Sequence, residues 1–320
     1  MTKFTHAMVL AAAILALQLS PPVSLADEQK AVLITGASTG IGRNMAERLA
    51  HDGYFVYAGA RKAKDLEALD AIENIKAVRL DVTSQDDVDA AVAMITEEGR
   101  GLWGLVNNAG VATRAPVVEL QDSEIDFVFG VNVKGVVRVT RAFLPLIIEN
   151  KGRIITTGSI AGIRSTPTGS LYSMSKHAVE AFTDSLAAEV AGAGVQVSVI
   201  EPGSYKSRIR RNAIGRYMNQ LEAADMEVTD ELRAAAAQLA EEELAMDEPD
   251  AVSAALVHAL SAEKAHRRYL VTPNDAQAKR TVRVFIQELV ELNQWEQRHF
   301  TRDELVAMLD EALAAQEASD

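Results

Sequence analysis

Tyr172 and Lys176 are the residues whose types and spacing point most directly to proton transfer. They lie four positions apart in a helical pattern, so their side chains are expected on one helix face. A neighbouring cation stabilises a phenolate and lowers the pKa of tyrosine from its usual value of about 10. Ser159, thirteen residues upstream at a strand end, could hydrogen-bond an oxygen that gains negative charge. The set suits proton exchange with an alcohol or carbonyl, although each residue alone also fits a structural role.

A glycine-rich turn follows the first predicted strand and opens the first helix. It reads Thr35-Gly36-Ala37-Ser38-Thr39-Gly40-Ile41-Gly42. Glycines allow a tight turn and close approach of a pyrophosphate, while the helix N-terminus offers free N–H groups. The spacing is neither Gly-x-Gly-x-x-Gly nor that of a P-loop. The turn predicts a dinucleotide site, with an ordinary strand–helix turn as the alternative.

The residues at the end of the second predicted strand indicate which nicotinamide cofactor is preferred. It reads Ala60-Arg61-Lys62, whereas folds that prefer NAD usually place an acid there to hold the ribose 2′-hydroxyl. The forked donors of Arg61 suit a 2′-phosphate, and Lys62 adds charge. The pattern favours NADP, with NAD possible and a solvated basic turn as the structural alternative.

Short apolar segments alternate with helical patterns along most of the chain. The predicted strands cover residues 30–35, 54–59, 75–80, 104–108, 152–158, 195–201 and 267–272, and the longest helical patterns cover roughly 123–150 and 172–192. Continuously apolar strands separated by helices predict a parallel sheet covered on both faces. The fold class is therefore α/β, a doubly wound parallel sheet of the Rossmann type, with the nucleotide site beyond the carboxyl ends of the strands.

The last third of the chain is helical in pattern and biased in charge. Residues 217–250 hold eleven acidic side chains and one basic one, whereas residues 206–211 hold four basic ones. The basic run could attract an anionic substrate or cofactor phosphates, or form a solvated helix end. Thr301 and Glu304 have the spacing of a capping box and predict a final helix. We assign 27–275 to one catalytic domain and 276–320 to a C-terminal helical extension.

The amino-acid composition argues against several classes of function. The 320 residues carry a net charge of −13, which makes non-specific nucleic-acid binding a poor candidate. The absence of cysteine excludes disulfides, thiolate metal sites and cysteine nucleophiles. The six histidines show no ligand spacing, so no metal site is predicted.

The N-terminal 26 residues have the pattern of a secretory signal peptide. Lys3 precedes an apolar stretch from Ala7 to Leu19, and Ser24-Leu25-Ala26 places small residues before Asp27. The pattern predicts an exported, periplasmic protein. A membrane anchor and an ordinary start on a cytoplasmic protein are the alternatives.

The motifs together resemble the short-chain dehydrogenase/reductase family over about residues 30–275. The matching motifs are the glycine-rich turn 35–42, Asp81-Val82, Asn107-Asn108-Ala109-Gly110, Asn132 in Val131-Asn132-Val133-Lys134-Gly135, Ser159, Tyr172, Lys176 and Pro202-Gly203. The sequence around Tyr172 and at Glu201-Pro202-Gly203 looks most like that of the retinol and hydroxysteroid dehydrogenase branch. The family resemblance implies a homodimer or homotetramer.

The resemblance also implies individual roles. Tyr172 would be the general acid/base, Lys176 would lower its pKa and hold the nicotinamide ribose, and Ser159 would bind the substrate oxygen. Asn132 would hold a water that continues the proton relay. The implied cofactor-binding residues are Gly36, Ser38, Thr39, Gly40, Ile41, Gly42, Arg61, Asp81, Val82, Asn108, Tyr172, Lys176, Pro202, Gly203, Tyr205 and Ser207. The family more often has Thr where Ser207 stands and Val or Ile where Tyr205 stands, and the larger Tyr205 is expected to narrow the pocket.

The sequence therefore predicts an NADP-dependent oxidoreductase acting on a small-molecule alcohol or carbonyl. A non-catalytic dinucleotide-binding sensor or scaffold on the same fold is one alternative. An isomerase or lyase that uses the cofactor without net redox change is another.

Overall fold

The centre of the protein is a seven-stranded parallel sheet in a computed structural model that describes residues 29–318. The strands are β1 Ala31–Ile34, β2 Phe55–Ala60, β3 Ile75–Arg79, β4 Gly104–Asn107, β5 Arg153–Thr157, β6 Gln196–Pro202 and β7 Arg268–Val271. Their order is β3-β2-β1-β4-β5-β6-β7. The direction of strand addition reverses between β1 and β4, and open α/β sheets bind ligands at such a reversal. The predicted doubly wound fold is confirmed.

Helices cover both faces of the sheet and continue beyond β7. The α-helices are α1 Gly40–His51, α2 Ala63–Asp70, α3 Gln85–Glu97, α4 Asp122–Phe129, α5 Val136–Glu149, α6 Ser170–Val190, α7 Ile209–Ala223, α8 Asp230–Leu244, α9 Asp250–Ser261, α10 Asp275–Leu292 and α11 Arg302–Glu317. A π-helical turn, Gly130–Gly135, joins α4 to α5. Short 3₁₀ turns occupy Val117–Glu119, Ile160–Gly162, Ala191–Ala193 and Glu296–Arg298.

Two apolar layers, one on each side of the sheet, explain why the strands read as unbroken apolar runs. Val32 and Ile34 of β1 pack into one layer with Met45 of α1. Leu33 points the other way and packs with Phe143 of α5. Because side chains alternate along a strand, both faces of β1 must be apolar when both are covered.

The capping box that the sequence predicts opens α11. The Thr301 hydroxyl accepts from the Glu304 amide at 3.3 Å, and the Glu304 carboxylate accepts from the Thr301 amide at 2.7 Å. These two bonds satisfy backbone donors that a helix start leaves unpaired.

The predicted extension from residue 276 begins within α10. Gln277 and Thr281, in its first half, are buried, whereas Phe285 and Leu289 beyond them are exposed. The predicted signal peptide at residues 1–26 lies outside the described residues. Within residues 29–318, no helix has both the length and the apolar character needed to span a membrane.

Candidate active site

The glycine-rich turn between β1 and α1 is crowded by the chain segment that follows β4. Gly36 has a φ of +67°, and a Cβ there would lie 2.8 Å from the Cα of Ala109. A Cβ on Gly42 would lie 2.3 Å from Asn108 Nδ2 and 2.5 Å from the Gly36 carbonyl oxygen. Both glycines are therefore required by the close approach of the two segments.

The N-terminus of α1 is free to receive an anion. Thr39, its N-cap residue, makes no capping bond through its side chain, and the first turn contains no acidic residue. The first N–H groups of a helix have no partner within the helix and carry partial positive charge. They therefore form the kind of site that binds phosphate groups.

Asn108 fastens the glycine-rich turn to the ends of β4 and β5. Its side-chain amide donates to the carbonyls of Thr35 and Gly36, at 3.0 and 3.2 Å. Its Oδ1 accepts from the Thr157 hydroxyl at 3.3 Å. The Thr35 hydroxyl accepts from the amides of Asn108 and Ala109, each at 3.0 Å. Sequence reasoning assigned no role to Thr35, and its only signal was the hydroxyl that opens the motif.

Arg61 and Asp81 meet where β2 and β3 end. The guanidinium of Arg61 lies 3.5 Å from the Asp81 carboxylate, and its side chain is 57% exposed. Burial raises the pKa of Asp81, but hydrogen bonds from Thr83 and the charge of Arg61 outweigh it, so the pKa lies below its usual value. Val82 is buried beside Gly135, where a Cβ would lie 2.8 Å from Val82 Cγ2. This end of the site thus has a charged rim and an apolar floor.

Ser159, Tyr172 and Lys176 come together at the other end of the site. Ser159 lies two residues after the end of β5 and caps the 3₁₀ turn, its Oγ accepting from the Ala161 amide at 3.0 Å. Ser159 and Tyr172 both line the cavity, and Ser159 lies close enough to lower the pKa of Tyr172. The Lys176 ammonium is buried, donates to the Thr157 carbonyl at 2.7 Å and lies 5.8 Å from the centroid of the Tyr172 ring. The helical spacing of Tyr172 and Lys176 in α6 therefore does place both beside the serine.

Burial controls the ionisation of this pair. It raises the pKa of Tyr172 above its usual value, against the opposing effects of the Ser159 hydrogen bond and the Arg210 charge. It lowers the pKa of Lys176 to about 8, which the negative charge of Glu180 only partly offsets. The pKa of Tyr172 thus moves in the direction opposite to the sequence expectation, because loss of solvent around the phenolate outweighs the nearby cations.

Asn132 lies in the π-helical turn and is almost wholly buried. Its Oδ1 accepts from the Val111 amide at 2.9 Å, and its Nδ2 donates to the Val111 carbonyl at 2.8 Å and the Ser175 hydroxyl at 2.9 Å. Ser175 in turn donates to the Tyr172 carbonyl at 2.7 Å. The side chain of Asn132 therefore connects the chain after β4 to the first turn of α6. Sequence reasoning missed the contributions of Val111 and Ser175.

The segment after β6 closes the same cavity from the opposite side. Pro202 is buried, and Ser207 lies against the glycine-rich turn, where a Cβ on Gly40 would come within 3.3 Å of Ser207 Cβ. Tyr205 is 5% exposed and packs into the apolar layer that contains Val32 and Ile34 of β1, while part of it still lines the cavity. Most of the Tyr205 side chain therefore packs in the core.

Gln277 of α10 supports this segment, a role that sequence reasoning missed. Its Oε1 accepts from the Ser204 amide at 2.9 Å and its Nε2 donates to the Ser204 hydroxyl at 3.2 Å. A Cβ on Gly203 would lie 1.9 Å from Gln277 Oε1. The Arg210 guanidinium also donates to the Ser204 hydroxyl, at 2.7 Å. Its charge acts on Tyr172, so Arg210 belongs to the catalytic end of the site.

One cavity of about 410 Å³ contains nearly every residue that the sequence nominated. The lining residues include Gly36, Ser38, Thr39, Gly40, Ile41, Gly42, Arg61, Asp81, Val82, Asn108, Ser159, Tyr172, Lys176, Pro202, Gly203, Tyr205 and Ser207. Asn132 is the exception, since it lies behind the lining. The glycine cradle, the open helix N-terminus and the charged pair at its far end fit an extended dinucleotide.

Comparisons with known proteins agree with this architecture. The family profile described as short chain dehydrogenase matches residues 30–216. The mitochondrial D-beta-hydroxybutyrate dehydrogenase of Bos taurus is 39% identical over 186 residues, which cover 55% of this chain and 54% of the bovine protein. The uncharacterized oxidoreductase YbbO of Escherichia coli strain K12 is 35% identical over 246 residues, which cover 76% of this chain and 86% of YbbO. This chain therefore spans about half the length of the bovine relative and most of YbbO.

A solved structure extends the comparison to the whole sheet. The short-chain dehydrogenase/reductase of Burkholderia phymatum, crystallised in complex with NAD, has a TM-score of 0.70 at 28% identity and covers 85% of this chain and 98% of its own. The family profile covers more than half of the chain, and the predicted resemblance is confirmed. The chain belongs to the short-chain dehydrogenase/reductase family.

Proposed function

We propose that the protein is an NADP-dependent oxidoreductase that transfers a hydride between the nicotinamide cofactor and a secondary alcohol or ketone, or an alcohol or aldehyde. One observation carries this proposal: the Ser159 and Tyr172 hydroxyls line the same cavity, with the buried ammonium of Lys176 beside the Tyr172 ring. The bovine relative is named for a hydroxyl-bearing substrate, which supports chemistry at a CH–OH group.

The side chains divide the work at the substrate oxygen. Bound nicotinamide would supply or accept the hydride at the substrate carbon. The Ser159 oxygen already accepts from the Ala161 amide, so its own proton is free to point at the substrate oxygen. The raised pKa of Tyr172 keeps its hydroxyl protonated near neutral pH, and this proton passes to a carbonyl oxygen during reduction.

Lys176 stabilises the phenolate that remains after this transfer. Its pKa of about 8 leaves it mostly protonated at pH 7, and its bond to the Thr157 carbonyl fixes it beside the tyrosine. A fixed buried cation stabilises a developing anion more strongly than solvent does. We assign to Lys176 the further task of holding the nicotinamide ribose, and to Asn132 the positioning of α6 through Ser175.

The preference for NADP rests on the charges at the end of β2. The Arg61 side chain is largely exposed and reaches Asp81, which places its guanidinium at the rim of the cofactor cavity. Lys62 follows it. Burial lowers the pKa of Arg216, the charge of Glu124 opposes this, and the charge of Arg61 adds a smaller lowering effect. A 2′-phosphate would relieve this repulsion between cations.

The quaternary structure we propose is a homodimer or homotetramer. Val137 and Ile148 lie three helical turns apart on α5, and both are about 40% exposed. Large apolar side chains on one exposed helix face are typical of association surfaces. Sedimentation of the purified chain would test this assignment.

A fluorescence titration of the purified protein with NADPH and, separately, NADH tests the cofactor assignment. We expect NADPH to bind at least about tenfold more tightly, and Arg61→Ser to remove that advantage, because hydrogen bonds to charged groups are worth about 1.5–3 kcal/mol. Lys64→Ser, an exposed cation one turn further on, is the control and should leave both affinities unchanged. Equal or tighter binding of NADH by the wild type would reject the NADP assignment but not the enzyme.

Catalysis is tested with Tyr172→Phe, which removes only the reacting hydroxyl. Carbonyl reduction should fall about 10²- to 10⁴-fold, the usual contribution of general acid–base catalysis, with NADPH affinity preserved. Failure of the wild type to bind either cofactor would reject the proposal. Binding without turnover of any alcohol or carbonyl would favour a sensor or scaffold, and product formation without net change in NADPH absorbance would favour an isomerase or lyase.

A further inference from the structure

The cavity has a charge opposite to that of the protein. The chain carries a net charge of −13, yet Asp81 is the one acidic side chain among the residues that line the cavity. The basic lining residues are Arg61, Arg114, Arg164, Lys176, Arg208 and Arg210. A cleft of one sign with low-dielectric walls concentrates ligands of the opposite sign. The cofactor phosphates account for cations near the glycine-rich turn, but not for those beside Tyr172.

Arg210 lines the cavity, and its positive charge acts on Tyr172. It is half-buried in the first turn of α7, and its Nη2 donates to the Ser204 hydroxyl at 2.7 Å. Ser204 is itself held by two hydrogen bonds to Gln277, which is 8% exposed. Gln277 and Ser204 thus form a buried support that fixes the position of the guanidinium. Fixed cations bind anions better than mobile ones because less side-chain entropy is lost.

The carboxylate bonded to the Arg210 backbone does not pair with the Arg210 guanidinium. Glu243 is buried and accepts from the backbone amides of Arg210 and Arg211, at 2.9 and 3.3 Å, and so caps α7. Its other oxygen lies 3.4 Å from Arg211 Nε. Among the described residues, no acidic side chain pairs with the guanidinium of Arg210. One edge of its fork bonds the neutral Ser204, and the remaining donors are available to a ligand.

We propose that the substrate carries a carboxylate, that the Arg210 guanidinium binds it, and that the reaction interconverts a hydroxy acid and an oxo acid. The proposal rests on the proposed function, since the hydride and proton transfers are unchanged and Arg210 only orients the substrate. A single half-buried guanidinium with two parallel donors matches the charge and shape of one carboxylate. Ser204 and Gln277 are positioning residues in this scheme.

The test compares acids with neutral analogues at three spacings between the two groups. The probes are 2-oxopentanoate, 3-oxopentanoate and 4-oxopentanoate, each with its methyl ester, and NADPH consumption gives kcat/KM. We expect at least one acid to exceed its own ester by about 10- to 100-fold, the range that hydrogen bonds to a charged group provide. Pentyl phosphate and pentanoate, compared as competitive inhibitors, separate a carboxylate site from a general oxyanion site.

Three variants assign the effect to Arg210. Arg210→Gln should lower kcat/KM for the acid about 10- to 100-fold more than kcat/KM for its ester, so that the ratio of the two falls towards one, whereas a general loss of structure would lower both values alike. Arg210→Lys should restore part of the preference, since it keeps the charge but not the fork. Arg233→Gln removes the same charge from an exposed position on α8 and should change neither value.

The outcomes separate the two proposals. Esters reduced as well as or better than all three acids, or equal losses in Arg210→Gln and Arg233→Gln, would overturn the carboxylate assignment and leave the oxidoreductase intact. Inhibition by pentyl phosphate alone would also overturn it. No turnover of acids or esters, together with no binding of NADPH or NADH, would overturn the proposed function itself.

Discussion

Gly42 shows how a single missing methyl group shapes the cofactor site. A Cβ there would overlap the Asn108 side chain and the Gly36 carbonyl, at 2.3 and 2.5 Å. Neither neighbour can retreat easily, because Asn108 is bonded to both Thr35 and Gly36. We expect Gly42→Ala to lower the free energy of unfolding by about 1–3 kcal/mol, the usual cost of overpacking, and to weaken NADPH binding. Urea denaturation and a fluorescence titration measure the two effects.

Gly192 provides the matched control for that substitution. It lies in the exposed 3₁₀ turn after α6, and a Cβ there would meet nothing within 4 Å. Gly192→Ala should leave both stability and NADPH affinity close to the wild-type values. Equal effects of the two substitutions would contradict the steric argument for Gly42.

At the scale of elements, the π-helical turn depends on one buried asparagine. Asn132 makes two hydrogen bonds to the backbone of Val111 and a third to Ser175. Asn132→Ala removes all three and leaves polar groups of Val111 without partners, so we expect a loss of about 2–4 kcal/mol in unfolding free energy. We also expect a lower kcat, because the first half of α6, which carries Tyr172, loses the bond from Asn132 to Ser175 that holds it to the π-helical turn. Urea denaturation and steady-state kinetics measure these changes.

Asn219 serves as the control, since its side chain is exposed on α7. Asn219→Ala should be neutral within about 0.5 kcal/mol, as is usual for surface substitutions. A stable Asn132→Ala protein with wild-type kcat would show that the π-helical turn does not position α6.

The elements that the sequence predicts well are those set by local pattern. Continuous apolar runs placed β1 to β7 within about two residues because both faces of the sheet are covered. The pattern over residues 123–150 correctly indicated helix but not its π-helical turn, since that turn is held by Val111, 21 positions away from Asn132. The pattern had no means of showing this contact.

The same limit applies to the site. Ser159, Tyr172 and the glycines were accessible because strand ends and helical spacing place them by local rules. The position of Arg210 depends on Ser204 and, through it, on Gln277, which lies 73 positions from Ser204 along the chain. The sequence therefore showed only a basic segment. The tertiary structure was needed to show which of its arginines has a charge that acts on Tyr172.

At the scale of the whole molecule, Lys176 makes stability depend on pH. Its pKa falls from 10.5 to about 8 on folding, because burial penalises the ammonium. Between these values the unfolded chain binds more protons than the folded one. The Lys176 contribution to the free energy of unfolding therefore rises as the pH rises from about 8 to 10.5. Its full size is about 3 kcal/mol, since one pKa unit corresponds to about 1.4 kcal/mol. Lys176→Met should abolish this rise relative to the wild type in urea denaturation, and an unchanged rise would contradict the assignment.

A buried pair of carboxyl groups acts in the opposite sense over the adjoining pH range. Glu180 of α6 and Glu201 of β6 each bury a carboxylate oxygen that has no hydrogen-bond partner among the described residues, and Arg268 of β7 lies 3.2 Å from Glu180 and 3.7 Å from Glu201. Burial, followed by the charge of Glu180, raises the pKa of Glu201 to about 8, although Arg268 opposes the shift. Glu201 is thus mostly protonated at neutral pH. We infer that it shares this proton with Glu180 and that the shared proton ties β6 to the helix that carries Tyr172 and Lys176.

A group whose pKa rises on folding stabilises the protein below its unfolded pKa and loses that contribution as pH rises through its folded pKa. For Glu201 this window runs from 4.5 to about 8, below the range of about 8 to 10.5 over which Lys176 acts. We expect Glu201→Gln, whose amide cannot ionise, to remove part of the fall in wild-type unfolding free energy between pH 5 and 8. Glu288→Gln, at an exposed site on α10, is the control and should leave the profile unchanged. Parallel pH profiles for the wild type and Glu201→Gln would mean that Glu201 is ionised in the folded protein, so that Arg268 rather than a shared proton holds β6 against α6.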